Sequence, residues 1–351
     1  MQQFVNGPVR LWQNLYKACG VLRVRSLSYG LQSTTSTLSP QIPVIDVDAI
    51  MWGRYKATVA RDIISAANTV GAFQVINHGI STKQILDTSK HFLSSSTDKK
   101  IAASKGDGIW GHFRLLGERT QGVPDMKEGI YLRSEMSSRD AIFSGFALRG
   151  PNKWPCQKDF PKFKSSVESH FDEVDQTAHA ICRCISSELG WGTDYFSVNT
   201  ISTFKQLGMF RYHKIKDDSI QSDWGVGAHS DRGLITMVTS DAGGLQVQLP
   251  DANIWVDVPV VEEAVIILVN DYLDYITNGY CKSSVHRVLK PTSSDRYSVT
   301  TFVSPHFDLD MSVEHIGDGV SDHVRNIIEE NHCTSAGEHA TQQLVHSLTK
   351  D

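Results

Sequence analysis

The chain has 351 residues, a formal net charge of −5 and 21% charged side chains, a composition typical of globular proteins. This length can bury the core of one large domain or of two modest ones. The negative charge does not favour a nucleic-acid partner, which would need a basic patch, and no apolar run reaches the length of a membrane span. We expect neither kind of partner.

Residues 1–41 differ in composition from the rest of the chain. They contain no Asp or Glu, basic residues such as Arg10, Lys17 and Arg23 are spread among apolar ones, and a Ser/Thr-rich run covers 33–39. Such an N-terminus is typical of an organelle transit peptide, but a loosely packed leader that covers the following domain explains the pattern equally well. We expect an intracellular protein, which is cytoplasmic, or mitochondrial or plastidial if residues 1–41 are a transit peptide.

The region from 42 to 200 alternates strands and helices. Apolar periodicity predicts strands at 42–47 and 73–76 and helices at 59–67, 83–93 and 160–189. The longest helix carries a single apolar stripe, which we expect to pack behind a sheet. Residues 106–121 are rich in Gly and lack periodicity, so we predict a long loop of the kind that often carries functional residues.

Short strands separated by turns follow in the region from 201 to 307. Apolar or alternating runs predict strands after residue 233 and at 243–248, 255–259, 264–270, 286–289 and 297–303. This succession of strands and turns indicates an all-β barrel or a jelly roll. The mouth of such a barrel can collect side chains from strands that are not adjacent in sequence.

The C-terminal region is polar and rich in histidine. Five widely spaced histidines follow Asp310, and they match no metal-binding pattern: His315, His323, His332, His339 and His346. We expect a solvated C-terminal helix and tail.

The six cysteines are scattered, and none belongs to a CxxC pair. Cys182 and Cys184 lie two residues apart in the predicted long helix, where their side chains diverge. We predict buried free thiols in a reducing compartment rather than zinc ligands or disulfides.

Three potential metal ligands stand out in the strand-rich region. His229 and Asp231 lie two residues apart, a spacing that puts both side chains on one face of a β-strand. His286 is distant in sequence and must come from another strand. Two imidazoles and one carboxylate are the ligand set of a non-haem Fe(II) site with open coordination positions. The same set can bind zinc, although we find no general base beside His229 for zinc hydrolysis.

A clamp for an acid follows on the next predicted strand. Arg296 lies ten residues after His286, and Ser298 shares its strand face. An Arg fork next to a hydroxyl is well suited to binding a carboxylate. A His-x-Asp tripeptide alone is a weak indication, because it also occurs by chance. The surrounding strands and the clamp are what favour a functional site.

With these motifs the sequence resembles the iron- and 2-oxoglutarate-dependent dioxygenases of the isopenicillin N synthase-like superfamily. The resemblance covers most of residues 42–307, in the order of the family. The stretches that carry it are Ile42–Val47, Gly71–Ile80, Gly117–Thr120, Asp125–Gly129, Gly227–Leu234, Gly243–Val247, Asn278–Gly279, Ser284–Val288 and Asp295–Val299.

The resemblance implies a fold and a division of the chain. The fold would be mainly β with flanking helices (α+β), around a double-stranded β-helix (jelly-roll) core. The regions would be a leader at 1–41, an N-terminal dioxygenase region at 42–150, backing helices at 151–200, the Fe(II)/2-oxoglutarate core at 201–307 and a C-terminal helix and tail at 308–351.

The resemblance also implies roles for the site residues. His229, Asp231 and His286 would be the iron ligands. Arg296 and Ser298 would bind the distal carboxylate of 2-oxoglutarate, and Tyr212 takes the place of a family tyrosine that hydrogen-bonds this cosubstrate.

Further residues are assigned with less support from the motifs. Tyr212 is followed by His213, where the family usually has proline, and we interpret His213 as an exposed loop residue before Lys214. For the substrate pocket we name Phe302, which would face inward with Ser298 by the period of two. Leu245 and His112 are named as further pocket residues.

The implied function is that of an oxidoreductase with Fe(II), O2 and 2-oxoglutarate as cosubstrate, and with ascorbate as a candidate reductant. Such an enzyme, expected to be a monomer, oxidises a C–H bond of a small molecule by hydroxylation, desaturation or oxidative cyclisation and releases succinate and CO2. We expect a role in specialised or natural-product metabolism. Two alternatives stay open: an Fe(II) oxidase of the same superfamily that does not use 2-oxoglutarate, and a non-catalytic small-molecule sensor on the same fold.

Overall fold

The structure is a computed structural model. It describes residues 41–104, 106, 109–135, 152–196, 201–214, 224–250, 252–306, 309–312, 316–332 and 334–339, with the backbone alone for 201–204 and 331. The predicted leader at 1–41 lies outside the described residues except for its last position.

The described residues form strands and helices in the predicted alternation. The strands are β1 Val44–Asp46, β2 Ala72–Ile76, β3 Gly111–Phe113, β4 Arg119–Thr120, β5 Val123–Pro124, β6 Lys127–Arg133, β7 Ile201–Tyr212, β8 Trp224–His229, β9 Ile235–Ser240, β10 Leu245–Gln248, β11 Trp255–Asp257, β12 Val265–Val269, β13 His286–Leu289 and β14 Arg296–Pro305. The α-helices are α1 Ala57–Thr69, α2 Thr82–Leu93, α3 Thr97–Ile101, α4 Phe163–Glu188, α5 Asp271–Ile276 and α6 Asp322–Asn331, and a 3-10 helix covers Asp48–Ile50.

Two sheets face each other across an apolar core. The larger sheet has eight strands in the order β1-β2-β12-β9-β14-β7-β6-β3, and the smaller one has four in the order β11-β10-β13-β8. Except for the parallel β1–β2 pair, neighbouring strands of these sheets run antiparallel. Val226, Val247 and Val288 from the small sheet share one buried cluster with Phe210 and Val238 from the large sheet. The mainly β, α+β architecture with a jelly-roll core is confirmed.

The outer face of the large sheet is covered by helices. The predicted stripe of α4 is buried along its whole length: Phe163, Val167, Phe171, Val174, Ala178, Ile181 and Ile185. Its first half packs with Leu207 and Met209 of β7, and its second half shares a cluster with Ile267 of β12. The helix therefore backs the sheet as expected, and its apolar stripe is packing.

Three expectations about the chain outside the site need correction. Residues 106–121 contain strands β3 and β4 rather than one uninterrupted loop. Cys182, Cys184 and Cys281 are buried free thiols as predicted, but Cys156 is exposed. His339 is 1% exposed and its Nε2 lies 3.3 Å from Oδ2 of Asp271, so the C-terminal histidines are not all solvated.

Within the described part of the chain, we find no helix that is both long and apolar enough to cross a bilayer.

Candidate metal centre

Two neighbouring strands of the small sheet bring the two histidines together. His229 ends β8 and His286 begins β13, and the two residues are direct partners in the β8–β13 register. Their ring centroids lie 4.3 Å apart. Asp231 follows the end of β8 after one residue, and its carboxylate lies on the same side as the imidazole of His229.

The three side chains converge on one point. Nε2 of His229 lies 3.5 Å from Oδ1 of Asp231, and Nε2 of His286 lies 3.7 Å from Oδ2 of the same carboxylate. One ligand atom from each residue lies within 4.8 Å of the others. No other group of three or more His, Cys, Asp or Glu side chains meets this spacing among the residues that the structure describes.

Backbone carbonyls fix the orientation of both imidazoles. Nδ1 of His229 lies 2.9 Å from the carbonyl of Gly227, and Nδ1 of His286 lies 3.0 Å from the carbonyl of Ser284. If each Nδ1 carries the proton and donates to its carbonyl, each Nε2 presents its lone pair towards Asp231. Such support of the second ring nitrogen is what metal-binding histidines commonly receive.

The carboxylate of Asp231 is held from behind by the large sheet. Thr236 of β9 donates a hydrogen bond of 2.7 Å to Oδ2, and Asn270 donates one of 2.9 Å to the hydroxyl of Thr236. Thr236 and Asn270 are fully buried. The backbone N–H of Asp271 donates to the carbonyl of Asp231, which fixes the main chain as well.

Electrostatics keep the carboxylate charged. Although burial acts in the opposite direction, the neighbouring imidazoles of His286 and His229 and the hydrogen bond from Thr236 lower the pKa of Asp231 below its usual value. Burial and the neighbouring His229 together lower the pKa of His286 to about 4. At neutral pH, His286 is therefore an uncharged imidazole and Asp231 a carboxylate, the protonation states that metal ligands need.

The predicted clamp lies on the inner face of the large sheet. Arg296 is directly opposite Tyr212 across β14 and β7, and Ser298 is opposite Phe210 in the next inward-facing row. The guanidinium carbon of Arg296 lies 4.8 Å from the centre of the Tyr212 ring. Nε of Arg296 donates a hydrogen bond of 2.9 Å to the carbonyl of Gly243.

The outer end of the Arg296 side chain is left for a ligand. Arg296 is 2% exposed. Its Nη1 atom is buried and has no hydrogen-bond partner among the residues that the structure describes. A buried guanidinium nitrogen without a partner carries a desolvation penalty that a bound anion would remove. The donor set therefore fits a carboxylate of a small acid, as the ligand set of His229, Asp231 and His286 fits a divalent iron.

One cavity of about 520 Å³ connects the metal group and the clamp. Phe302 and Leu245 line it, as expected, together with Tyr212 and Ser298. The expectation for His112 is wrong: it lies opposite Ile130 on the outer face of the sheet, where it packs against Phe92 and approaches Glu128. Along β3 the inward positions are those of Phe113 and its period-two neighbours.

His213 also lies behind the sheet, away from this cavity. It is only partly exposed, and Nε2 lies 3.1 Å from Oε1 of the buried Glu128. Its interpretation as an exposed loop residue is therefore corrected, while Tyr212 lines the cavity in spite of the histidine that follows it.

Sequence reasoning missed several polar residues of the cavity. Glu118, Asp125, Lys127 and Tyr131 line it, and Nζ of Lys127 lies 3.1 Å from Glu118 and 3.2 Å from Asp125. Burial alone would lower the pKa of Lys127, but Tyr131, Asp125 and Glu118 raise it well above its usual range. The spacing of Lys127 and Tyr131, which places both on one face of a strand, was the sequence pattern that could have indicated polar residues in the cavity. Ile327 of α6 also reaches the cavity, which nothing in its sequence context indicated.

Comparisons with known proteins agree with this geometry. The model of the 2OG-Fe(II) oxygenase superfamily matches residues 204–305, and the model of the N-terminal region of non-haem dioxygenases in morphine synthesis matches residues 42–157.

Individual relatives cover most of the chain. The 2-oxoglutarate-dependent dioxygenase caaD of Aspergillus niger is 30% identical in an alignment of 280 residues that covers 75% of this chain and 84% of the relative. A 1-aminocyclopropane-1-carboxylate oxidase of Dictyostelium discoideum is 28% identical over 76% of this chain and 82% of its own length. The crystal structure of a full-length Neurospora crassa protein in complex with alpha-KG superimposes with a TM-score of 0.71 over 87% of this chain and 95% of that chain. Its identity is 24%, so that this likeness concerns the fold.

A jelly roll with two imidazoles and one carboxylate at the mouth of its cavity defines the class of non-haem iron oxygenases. The chain belongs to the 2OG-Fe(II) oxygenase superfamily. It is a 2-oxoglutarate-dependent dioxygenase, with Fe(II) and 2-oxoglutarate as its cofactors.

Proposed function

We propose that His229, Asp231 and His286 hold the Fe(II) ion, that Arg296 and Ser298 bind the distal carboxylate of 2-oxoglutarate, and that Tyr212 hydrogen-bonds this cosubstrate. The observation that supports this most directly is the unpartnered Nη1 of Arg296, buried in the same cavity as the His-Asp-His group. The enzyme would oxidise a C–H bond of a small organic molecule by hydroxylation, desaturation or oxidative cyclisation.

Each residue has a separate task in this proposal. Thr236 and the two carbonyls behind the imidazoles keep the three side chains in one arrangement, in which they would hold Fe(II). Arg296 would neutralise the far carboxylate of the cosubstrate, which the cavity would otherwise bury as an unpaired charge. When bound, Fe(II) would use O2 as the oxidant towards the C–H bond, and 2-oxoglutarate would be oxidised in the same turnover to succinate and CO2. The sheets around them exclude water and position the substrate.

The choice of substrate class follows from the cavity. Its volume of about 520 Å³ is within the range of small-molecule pockets. Aromatic side chains of Tyr131, Phe210 and Phe302 line it beside a few charged ones. We propose a small metabolite as the substrate, in specialised or natural-product metabolism.

Reconstitution tests the proposal in two steps. Without O2, purified protein with Fe(II) should develop a visible charge-transfer absorption when 2-oxoglutarate is added, and Asp231→Ala should not. With O2 admitted, a compound screen with mass detection should then find a substrate whose oxidation accompanies succinate formation. Metal binding without the absorption band would favour an oxidase that does not use 2-oxoglutarate. If no compound supported Fe(II)-dependent turnover, the catalytic proposal would be wrong.

A further inference from the structure

A second charged group lies in the cavity, apart from the metal ligands and the clamp. Glu118, Asp125, Lys127 and Tyr131, here called the acidic cluster, are each at most 8% exposed. Lys127 belongs to the same inward-facing row as Tyr212 and Arg296, on the far side of Tyr212. The acidic cluster therefore faces the cavity from β6 and from the β4–β5 hairpin.

The acidic cluster has one more negative charge than positive. The ammonium of Lys127 is shared between Oε2 of Glu118 and Oδ2 of Asp125. Tyr131 donates a hydrogen bond of 3.1 Å to the same oxygen of Glu118, and Thr120 donates one of 3.1 Å to Asp125. Arg119 of the β4–β5 hairpin is also a cation, and its guanidinium donates a hydrogen bond to the carbonyl of Gly122.

One carboxylate oxygen of the acidic cluster accepts no hydrogen bond from any residue that the structure describes. Oε1 of Glu118 is buried and has no hydrogen-bond partner in the part of the chain that the structure describes. The Glu118 side chain is 1% exposed. The free-energy cost of burying an acceptor without a hydrogen bond is larger for a carboxylate oxygen than for a neutral acceptor. The oxygen is therefore poised to accept a hydrogen bond from a bound molecule.

The acidic cluster is close to the place where the metal would be bound. A Cβ atom added at Gly227 would lie 3.3 Å from Cγ2 of Thr120, so the hairpin packs directly on β8. The carbonyl of Gly227 is the one that orients His229. Below the cluster lies the ring of Phe210, with its centroid 4.8 Å from Nζ of Lys127. A molecule that contacts Glu118 would thus lie on an aromatic surface beside the metal ligands.

We propose that Glu118 determines substrate specificity by accepting a hydrogen bond from a protonated nitrogen, an ammonium or a guanidinium, of the substrate. This inference rests on the proposed function and names the substrate class of the same site. A cation would balance the excess negative charge of the acidic cluster and satisfy Oε1 at the same time. Charge-assisted hydrogen bonds of this kind are stronger than neutral ones.

Three probes with one skeleton test the proposal: 2-phenylethylamine, 2-phenylethanol and phenylacetate. Each is titrated anaerobically into the enzyme loaded with Fe(II) and 2-oxoglutarate, and the shift of the visible absorption band reports binding near the metal. The amine should bind at least about tenfold more tightly than the alcohol, which lacks the charge, and more tightly still than phenylacetate. In Glu118→Gln the preference for the amine over the alcohol should fall to about twofold or less, whereas the surface variant Glu262→Gln should keep it.

The outcomes separate this inference from the proposed function. If wild-type enzyme forms no absorption band with 2-oxoglutarate, the proposed function fails, and the inference falls with it. If the band forms but the amine binds no better than the alcohol or phenylacetate, or does not bind, the role of Glu118 is wrong. An unchanged preference in Glu118→Gln would contradict it too. If Glu118→Gln does not form the absorption band, the order in which wild-type enzyme binds the three probes still tests the proposed preference for a cation.

Discussion

Arg296 and Tyr212 face each other across β14 and β7, with the guanidinium carbon 4.8 Å from the centre of the phenol ring. On the outer face of the same strand pair, Asp295 accepts hydrogen bonds of 2.8 and 2.6 Å from Nε and Nη2 of Arg211. Arg211 and Asp295, which directly precede Tyr212 and Arg296 in the sequence, thus form an ion pair on the opposite face of the sheet. The two contacts together fix the end of the strand pair that carries the clamp.

Replacing Arg296 with lysine tests the geometry of the clamp. Arg296→Lys keeps the positive charge but loses the planar fork and its stacking on Tyr212. We expect the dissociation constant of 2-oxoglutarate to rise at least about tenfold, measured by anaerobic titration of the visible absorption band. Arg287→Lys is the matched control, since Arg287 lies over the rings of Trp224 and Trp255 and is not among the residues that line the cavity. Equal affinities of the two variants would contradict the assignment of Arg296.

The hydrogen bond from Thr236 to Asp231 should tune metal affinity. Thr236→Val keeps the shape of the side chain, but it removes the donor to Oδ2 of Asp231 and the acceptor for Asn270. We expect Fe(II) affinity to fall by roughly tenfold to a hundredfold, the usual effect of losing such a supporting contact. Anaerobic metal titration measures it.

Thr239→Val provides the control for this experiment. Thr239 is on the same strand and is buried, but its hydroxyl has no hydrogen-bond partner among the described residues. Its replacement should leave Fe(II) affinity within about twofold of wild type. A fall of similar size in both variants would point to a general weakening of β9 rather than to support of the carboxylate.

Local patterns were sufficient to predict some parts of the site, and pairing between distant segments decided the others. Arg296 and Ser298 share strand β14, so a period of two places both on one face. Asp231 lies beyond the end of β8, yet its separation of two residues from His229 still brings the two side chains together. The partnership of His286 with His229 depends on the register of β13 against β8, which no local pattern fixes. The prediction of a loop at 106–121 could not show that His112 is part of β3, whose pairing with β6 turns its side chain away from the cavity.

Burial of the C-terminal region was the least predictable feature. The sequence around His339 is polar, and polar residues usually lie at the surface. Its burial depends on Asp271 of α5, whose carboxylate the imidazole approaches, and on Arg232, which donates to the carbonyl of His339. The side chain of Glu118 illustrates the same limit, since the lack of a hydrogen-bond partner for its Oε1 among the described residues depends on how distant segments pack around it.

Gly208 should control the floor of the cavity. It occupies an inward position of β7, and a Cβ atom there would overlap the ring of Phe210. Gly208→Ala must therefore push that ring towards the cavity, at a cost of about 1–3 kcal/mol in the free energy of unfolding. We expect lower affinity for the substrate with a smaller change in 2-oxoglutarate affinity, measured by urea denaturation and by KM for the two compounds. An unaltered KM for the substrate would show that Phe210 does not contact it.

Glu128 should make stability depend on acid pH. It is 5% exposed on the outer face of β6, and Lys100, His213 and Arg211 surround its carboxylate. Although burial acts in the opposite direction, hydrogen bonds from His112, His213 and Lys100 lower the pKa of Glu128. Because the folded-state pKa lies below the usual 4.5, the stabilisation is complete above that pH and is lost as the pH falls below it.

Glu128→Gln should therefore lower the free energy of unfolding by about 3 kcal/mol at pH 7, since it leaves the buried ammonium of Lys100 without its charged partner. The difference from wild type should shrink progressively below pH 4.5, the usual pKa of a glutamate side chain, because the carboxylate takes up a proton in the unfolded state before it does so in the folded one. Urea denaturation at a series of pH values measures both effects. Glu168→Gln is the control, because its carboxylate is exposed and pairs only with Lys164 at 3.7 Å among the described residues. A difference between Glu128→Gln and wild type that stayed constant down to pH 3 would show that the charge of Glu128 is not what stabilises this part of the sheet.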